Sequence, residues 1–334
     1  VKAEREREGT GEKERQEVTR EGASVRVRAH AKINVSLRVA GCLADGYHEL
    51  RTVFQALALH DTLAFSKTAG PFSLRSTRRE LPLDSSNLVW RAADVLWQYL
   101  GRGGSPSGVS VHLRKRIPMR AGLGGGSSDA AATIVALARL WDATLDRSDL
   151  ASLGRRLGAD VGFFFTGGAA LGLGRGDEIY PLADLPRLGV LLVTPDFDVS
   201  TADAYRWLDE ARGYPATAPS GRPEGPEPEA GSGRESQSIS GCRWPVPSGE
   251  VWNDFEAVVA ARHPELCDIR QEIIRSGAAA AAMSGSGSTM FGLFEREDAM
   301  RAAAASLEKP GRLVQRTRTL SRREYLRSAA PVVP

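Results

Sequence analysis

Little in this sequence is suited to holding a metal, a disulfide framework or a membrane. Three cysteines in 334 residues, Cys42, Cys242 and Cys267, stand far apart and without ligand spacing. They mark neither a zinc site nor a secreted disulfide scaffold, and a reducing compartment is expected. The five histidines do not cluster with Asp, Glu or Cys at ligand spacing, which leaves no candidate transition-metal site. No apolar run approaches the roughly 18 to 20 residues that span a bilayer. The first residues alternate Glu with Lys and Arg and lack the apolar core of a signal peptide, so a cytoplasmic location is expected. Neither sign of charge dominates, with 44 basic against 41 acidic residues and a net charge of +3. Nothing in that balance calls for a polyanionic partner, and the expectation is a protein that binds neither nucleic acid nor membrane. Its oligomeric state is not legible.

What is present describes a globular protein: 42% hydrophobic and 25% charged residues, in a chain long enough for two domains of ordinary size. Residues 1–24 are too polar to offset the entropy of ordering and read as a disordered charged tail. From Val25 to Val39 apolar residues alternate with Arg26, Arg28, His30, Lys32, Asn34, Ser36 and Arg38, a strand system buried on one face and bent near Ala29 to Ala31. Further strands are expected at 51–59, 62–66, 109–113, 163–172, 189–194 and 290–294. Helices are expected after Asn87, from Ala130 to Trp141, from Arg147 to a stop at Gly158, and from Cys267 to Arg275. Between residues 213 and 250 Pro, Gly, Ser and Glu prevail without period, which reads as a disordered insert.

The stretch PMRAGLGGGSSDAA, residues 118–131, carries the most chemistry. Gly122, Gly124, Gly125 and Gly126 allow positive φ and a close backbone approach to a ligand, and Ser127 and Ser128 stand where a helix needs its first N–H groups capped. Such a helix start favours an anion, so the run reads as a phosphate cradle. It lacks the Gly-Lys-Ser/Thr ending of a Walker A loop, so any cation at the phosphates comes from elsewhere. A flexible connector before a capped helix would have the same composition.

Other residues are ambiguous singly. Lys32 is either a solvated strand lysine or a charge lining a cleft. Asp160, in GADVGFFF, is either a turn aspartate or a proton acceptor at the edge of an apolar wall. Tyr47 and His48, and likewise Tyr205, could pack within the fold or receive a base by stacking and hydrogen bonding. His30, His60, His112 and His263 have no evident chemical partner.

Taken in order, AKINVSL, ADGYHEL, NLVWRAA, KRIPMRAGLGGGSSDAA, LGADVGFFF, NDFE and MSGSGSTMFGLF resemble the 4-diphosphocytidyl-2-C-methyl-D-erythritol kinases. These form a family within the GHMP superfamily of small-molecule kinases. The glycine loop points only to the superfamily; AKINVSL together with DGYHEL points to the narrower family. The resemblance implies an α+β, two-domain fold, with an N-terminal mixed sheet and helix domain over 25–188 and a C-terminal α/β sandwich domain over 189–325. A short tail, 326–334, would follow, and the active site would lie in the cleft between the domains. It also implies transfer of the ATP γ-phosphoryl group to the C2 hydroxyl of the cytidyl diphosphate methylerythritol substrate, in the non-mevalonate isoprenoid route.

Carried over by position, the resemblance makes Lys32 and Asp160 the catalytic pair. It assigns ATP to Pro118, Met119, Arg120, Ala121, Gly122, Leu123, Gly124, Gly125, Gly126, Ser127 and Ser128, with Asn87 and Lys115 approaching the nucleotide. Tyr47, His48 and Tyr205 would hold the cytosine, while Asn34 and Thr201 would line the path of the methylerythritol. Mg²⁺ would be carried mainly by the nucleotide, with no side chain assigned to it. Gly162 and Ser288 depart from residues common in that family. Two alternatives remain: a GHMP kinase acting on homoserine, mevalonate or a sugar, and a non-catalytic nucleotide sensor on the same fold.

Overall fold

The computed structural model describes residues 24–42, 47–213 and 251–332. Apart from their edge residues, the expected charged tail and the 213–250 insert lie outside these.

The first sheet is organised by two long strands, β1 (Ser24–Cys42) and β2 (His48–Pro71), paired antiparallel. The strands expected separately at 51–59 and 62–66 are thus one 24-residue element, because pairing with β1 continues on both sides of the His60–Asp61 pair. β3 (Ser73–Ser76), β4 (Ser107–Arg114), β5 (Ala169–Leu173) and β6 (Glu178–Pro181) extend the sheet in the order β3-β4-β2-β1, with β5 and β6 branching from β2. β1 is bent where expected, by a register shift between His30 and Lys32. Bulges of this kind re-aim side chains. Val25, Val27 and Ala29 face the core of the first unit, whereas Ala31, Ile33 and Val35 pack into a second core shared with the C-terminal sheet. Simple alternation fails at the centre, since Lys32 and Asn34 on the polar face are only 3% and 2% exposed.

Helix α1 (Leu88–Tyr99) begins at Asn87, whose side chain caps it by accepting from Val89 N–H. Helix α2 (Gly125–Leu140) is buried on most of its surface, as its apolar circumference requires. Helix α3 (Arg147–Leu157) is held at its start by an Asp146/Asp149 capping box and ends at Gly158, whose backbone is extended. The strand expected over 163–172 is instead a short helix α4 (Val161–Thr166), a Gly167-Gly168 turn and β5. Three successive phenylalanines suit a buried strand or a buried helical turn equally, and the stacking of Phe163 on Phe54 at 4.9 Å accompanies the helix.

The second unit is an antiparallel sheet, ordered β11-β7-β10-β9, of β7 (Gly189–Pro195), β9 (Ala280–Met283), β10 (Met290–Phe294) and β11 (Arg312–Arg318). Around it lie α5 (Thr201–Arg212), α6 (Asp254–Ala260), α7 (Glu265–Arg275) and α8 (Glu297–Leu307). The two-residue β8 (Trp252–Asn253) joins the first sheet instead, parallel to β1.

The chain then returns to where it began. Helix α9 (Arg322–Ala329) places Tyr325 in the first core, and Arg26 and Val332 exchange backbone hydrogen bonds of 2.8 and 2.9 Å. Residues from Leu320 on thus pack with the N-terminal unit, and the expected division at 325/326 does not follow the packing. No helix of the described residues is long and apolar enough to cross a membrane.

Tyr325 is 3% exposed and donates its hydroxyl to the Phe164 carbonyl at 2.6 Å. Replacing it with Phe strands that buried carbonyl, which costs about 1 to 2 kcal/mol. A urea titration of Tyr325→Phe is expected to show a lower midpoint with an unchanged slope.

Candidate active site

Lys32 lies at the centre of β1 and Asp160 immediately before α4, 128 positions apart in sequence. The fold brings Lys32 Nζ to 3.3 Å from Asp160 Oδ2. The lysine is anchored from below: it donates to Asn34 Oδ1 at 2.5 Å, and Asn34 in turn donates to Thr52 Oγ1 at 2.7 Å. Its ammonium lies 5.5 Å from the Phe54 ring centroid. Asp160 occupies the cap position of α4 but makes no side-chain cap bond, so the turn-aspartate reading does not account for its carboxylate. With 34% of its side chain exposed, that carboxylate is accessible from solvent.

The glycine loop passes directly over Lys32, whose backbone N–H donates to the Leu123 carbonyl at 3.0 Å. Gly122 and Gly124 take positive φ, +72° and +67°, whereas Gly125 and Gly126 begin α2. Ser127 and Ser128 are therefore not caps, which corrects the expectation for them. The cap position belongs to Gly124, which has no side chain, and no side chain caps the helix. The first N–H groups are left for an anion, which strengthens the cradle as a physical arrangement. Ser127 is half-buried at this end, but Ser128 turns inward: its Oγ is buried without a hydrogen-bond partner and lines a small cavity with Ala29, Phe164 and Tyr325. Of the remaining loop residues Pro118 is half-buried, Ala121 and Leu123 anchor the loop in the core shared by the two units, and Met119 is 39% exposed. Arg120, at φ +51°, reaches to 3.7 Å from Asp198 of the second unit.

A second glycine turn, Ser284 to Thr289, faces the first. Ser284 Oγ donates to the Gly122 carbonyl at 3.0 Å, and a Cβ built on Gly122 would stand 1.9 Å from the Ser284 carbonyl oxygen. Asn253 braces this turn by donating to the Met283 and Gly285 carbonyls at 2.7 and 2.8 Å. Asn253 is not among the site residues expected from the sequence. The available signal is an Asn before two acidic residues at a helix start, and Asn253 does cap α6.

Two nucleotide-side expectations are altered by the geometry. Asn87 uses its side chain to cap α1 and to donate to the Pro82 carbonyl, although the turn it fixes abuts the loop through Leu88, near Gly126. Lys115 does not present its amine to the open side of the loop. The amine is buried behind Gly125, 2.5 Å from Asp61 Oδ2 and 2.6 Å from Asp129 Oδ2. Two carboxylates hold it there, and one of them, Asp61, is not among the residues expected from the sequence.

On the far side of Asp160, His48 and Tyr205 stack at 4.6 Å between ring centroids, and His48 Nε2 lies 2.7 Å from Asp209 Oδ1. One face of Tyr205 is thus covered by His48, and Phe255 meets it edge-on at 4.8 Å. Burial and then the charges of Asp160 and Asp209 hold the Tyr205 phenol above its ordinary range, so its hydroxyl stays a donor at any working pH. Tyr47 is 37% exposed with the Arg175 guanidinium 3.9 Å from its ring centroid. Thr201 starts α5 and lies 3.1 Å from Ser286, bridging to the second glycine turn. Lys32, Asn34 and Asp160 are therefore directly linked, and Tyr205, with His48 and Asp209 beside it, lies near enough for the Asp160 charge to act on its phenol.

The carboxylates of Asp61 and Asp129 face Lys115 and that of Asp160 faces Lys32. Among the described residues no group of three or more His, Cys, Asp or Glu could hold a metal.

Comparison with known proteins identifies the family. The family described as GHMP kinases N terminal domain matches residues 87–168, and that described as GHMP kinases C terminal matches 248–313. The chain is 44% identical over 278 residues to 4-diphosphocytidyl-2-C-methyl-D-erythritol kinase of Solibacter usitatus, covering 82% of each. It is 40% identical over 283 residues to the same-named protein of Deinococcus radiodurans, covering 84% of this chain and 87% of that one. A crystal structure of 4-(cytidine 5'-diphospho)-2C-methyl-D-erythritol kinase superposes with a TM-score of 0.67 at 32% identity, over 88% of this chain and 98% of that one. A homoserine kinase from Cytophaga hutchinsonii shares the fold alone, with a TM-score of 0.62 at 17% identity over 93% of this chain and 98% of that one. With this breadth of similarity, the chain is an ATP-dependent small-molecule kinase and belongs to the 4-diphosphocytidyl-2-C-methyl-D-erythritol kinase family of the GHMP kinases.

Proposed function

We propose that the chain transfers the γ-phosphoryl group of ATP to the C2 hydroxyl of 4-diphosphocytidyl-2-C-methyl-D-erythritol, a cytoplasmic step of the non-mevalonate isoprenoid route, with Asp160 as the base. The observation that carries this reading is the 3.3 Å approach of Lys32 to Asp160 beneath an uncapped helix N-terminus.

Phosphoryl transfer passes through a loose transition state, so positioning and charge neutralisation contribute more than covalent chemistry. Backbone N–H groups at Gly124 to Ser127 hold the phosphates of the leaving nucleotide. Asp160 takes the proton of the acceptor hydroxyl, an effect of order 10²- to 10⁴-fold. Lys32 stabilises the alkoxide that develops beside it; its bond to Asn34 fixes the ammonium before substrate arrives, so little reorganisation is needed during the step. Mg²⁺ carried in with the triphosphate would supply charge neutralisation there, and no side chain is assigned to it.

The base lies toward Tyr47 and His48. His48 covers one face of the Tyr205 ring and Arg175 one face of the Tyr47 ring, so each tyrosine offers a base at most its opposite face, a stacking contact worth about 1 to 3 kcal/mol per base. Stacking tolerates any base, so discrimination falls to hydrogen bonds from His48 and neighbouring backbone.

The test is a coupled ADP-release assay across a panel of alcohols. Turnover with the cytidyl compound is expected to exceed that with homoserine, mevalonate or galactose by at least about 10⁴-fold in kcat/KM, the discrimination available to a site that hydrogen-bonds its substrate. Comparable turnover of any of the others contradicts the assignment.

A further inference from the structure

Behind the phosphate loop lie three charged side chains for which the proposed reaction has no use. Asp61 is 0% exposed, and the side chains of Lys115 and Asp129 are each 4% exposed. Lys115 Nζ donates to Asp61 Oδ2 at 2.5 Å and to Asp129 Oδ2 at 2.6 Å. Asp61 Oδ1 accepts from the backbone N–H groups of Arg116 and Ile117, at 2.5 and 2.9 Å. The three residues come from β2, from the segment that enters the loop, and from the first turns of α2. A Cβ built on Gly125 would stand 3.0 Å from Lys115 Nζ, so the ammonium is in contact with the helix start that forms the cradle.

We infer that Asp61, Lys115 and Asp129 form a positioning triad that fixes the loop on the sheet and sets the net charge behind its anion-binding N–H groups, and thereby the affinity for nucleotide. This rests on the reading of residues 118–127 as the phosphate loop.

Two carboxylates share one ammonium. Asp61 is fully engaged, with both oxygens hydrogen-bonded, whereas Asp129 Oδ1 is buried without a partner. Asp129 is therefore the carboxyl that gains most from being neutral. Burial pushes it up to about 8 against the pull of Lys115, with the Asp61 charge adding to the rise. For Lys115 burial acts downward, but the charges of Asp129 and Asp61 outweigh it and keep the ammonium protonated. Of the elements packed on α2, β2 presents Asp61 and the loop entry presents Lys115; β1 presents Lys32, committed to Asp160, and Arg28, which lines a cavity with Ser128 and Ala132; α1 carries Arg91 and Asp94, and α4 carries no charged residue. The only other charged residue of α2, Arg139, lies in its last turn.

The sign follows. Below about pH 8 Asp129 keeps its proton; above it that proton is lost and the triad becomes more negative by one charge. Nucleotide phosphates have ionised by about pH 7, so their own titration does not contribute above it. One added negative charge at roughly 8 Å, at an effective dielectric constant of about 20 to 40, weakens anion binding about 5- to 30-fold.

The experiment is calorimetric titration of the full chain with ADP at pH 7 and pH 9. The wild-type dissociation constant is expected to rise about 5- to 30-fold between the two, and Asp129→Asn to show no such rise. Lys115→Met, which leaves Asp61 uncompensated, is expected to bind ADP more weakly than wild type already at pH 7. A brace that merely supports folding would not produce a proton-linked affinity. An alkaline rise that persists in Asp129→Asn overturns the inference, as does wild-type affinity in Lys115→Met. If Lys115→Met does not fold, the isosteric Asp129→Asn decides alone. Ser127→Glu, a residue type favourable at a helix start but repellent to phosphate, separates the two levels. If it binds ADP normally, the loop reading itself fails; if it loses ADP while Asp129→Asn keeps the rise, only the triad fails.

Discussion

Asp160→Asn is expected to lower kcat by about 10²- to 10⁴-fold while the dissociation constant for ADP stays within about twofold. The substitution keeps the shape of the side chain and removes its ability to accept a proton. Because Asp160 makes no cap bond to α4, the helix does not lose an anchor. Lys32 keeps its 2.5 Å bond to Asn34 and its place over Phe54, so the buried ammonium is not orphaned. Nucleotide contacts come from the loop backbone and not from Asp160, which is why binding and chemistry are expected to separate. Stopped-flow phosphotransfer paired with ADP calorimetry reads both quantities on one preparation. Equal losses in binding and turnover would mean that Asp160 organises the site and does not act on the acceptor.

The second large effect is expected at Gly122. An alanine there must adopt φ near +72°, which costs about 1 to 2 kcal/mol. Its Cβ would also stand 1.9 Å from the Ser284 carbonyl oxygen. That carbonyl has little room to move. It accepts from Gly287 N–H at 3.1 Å, the Ser284 N–H donates to Thr289 at 2.9 Å, and Asn253 ties down the flanking carbonyls of Met283 and Gly285. The two glycine turns must separate, and with them the cradle and its seat on Lys32. Gly122→Ala is expected to raise KM for ATP more than tenfold and to lower the unfolding midpoint. Gly126→Ala is the contrast, since its backbone is helical and its nearest neighbour is the flexible Leu88 side chain at 3.2 Å. Its penalty is expected to be at least tenfold smaller, as steady-state kinetics on the pair would show.

Much of this site is written locally. Strict alternation from Val25 identifies β1, and the glycine run followed by a small-residue apolar segment identifies the loop and α2. The errors arise where the deciding interaction is distant. Nothing near His60–Asp61 reveals that β2 runs through it, because continuity comes from pairing with β1 and β4. Likewise nothing near Lys115 reveals that its partners lie 54 positions before it and 14 after. Ser127 and Ser128 have the chemistry of caps, but the left-handed Gly124 moves the helix start one turn earlier and carries Ser128 into the interior. The FFF run defeats periodicity altogether, and only its packing on Phe54 separates helix from strand. The return of α9 to the first core leaves no local trace beyond one buried Tyr325.

The central claim is that an acceptor hydroxyl sits between Asp160 and the γ-phosphate, with Lys32 beside it. A crystal structure of the ternary complex with a non-hydrolysable ATP analogue and the cytidyl alcohol tests it most directly. The account predicts the C2 hydroxyl within hydrogen-bonding distance of an Asp160 carboxylate oxygen, about 2.6 to 3.2 Å, and in line with the γ-phosphorus. A hydroxyl bound away from Asp160, or a γ-phosphate directed to the opposite side of the loop from Lys32, would contradict it.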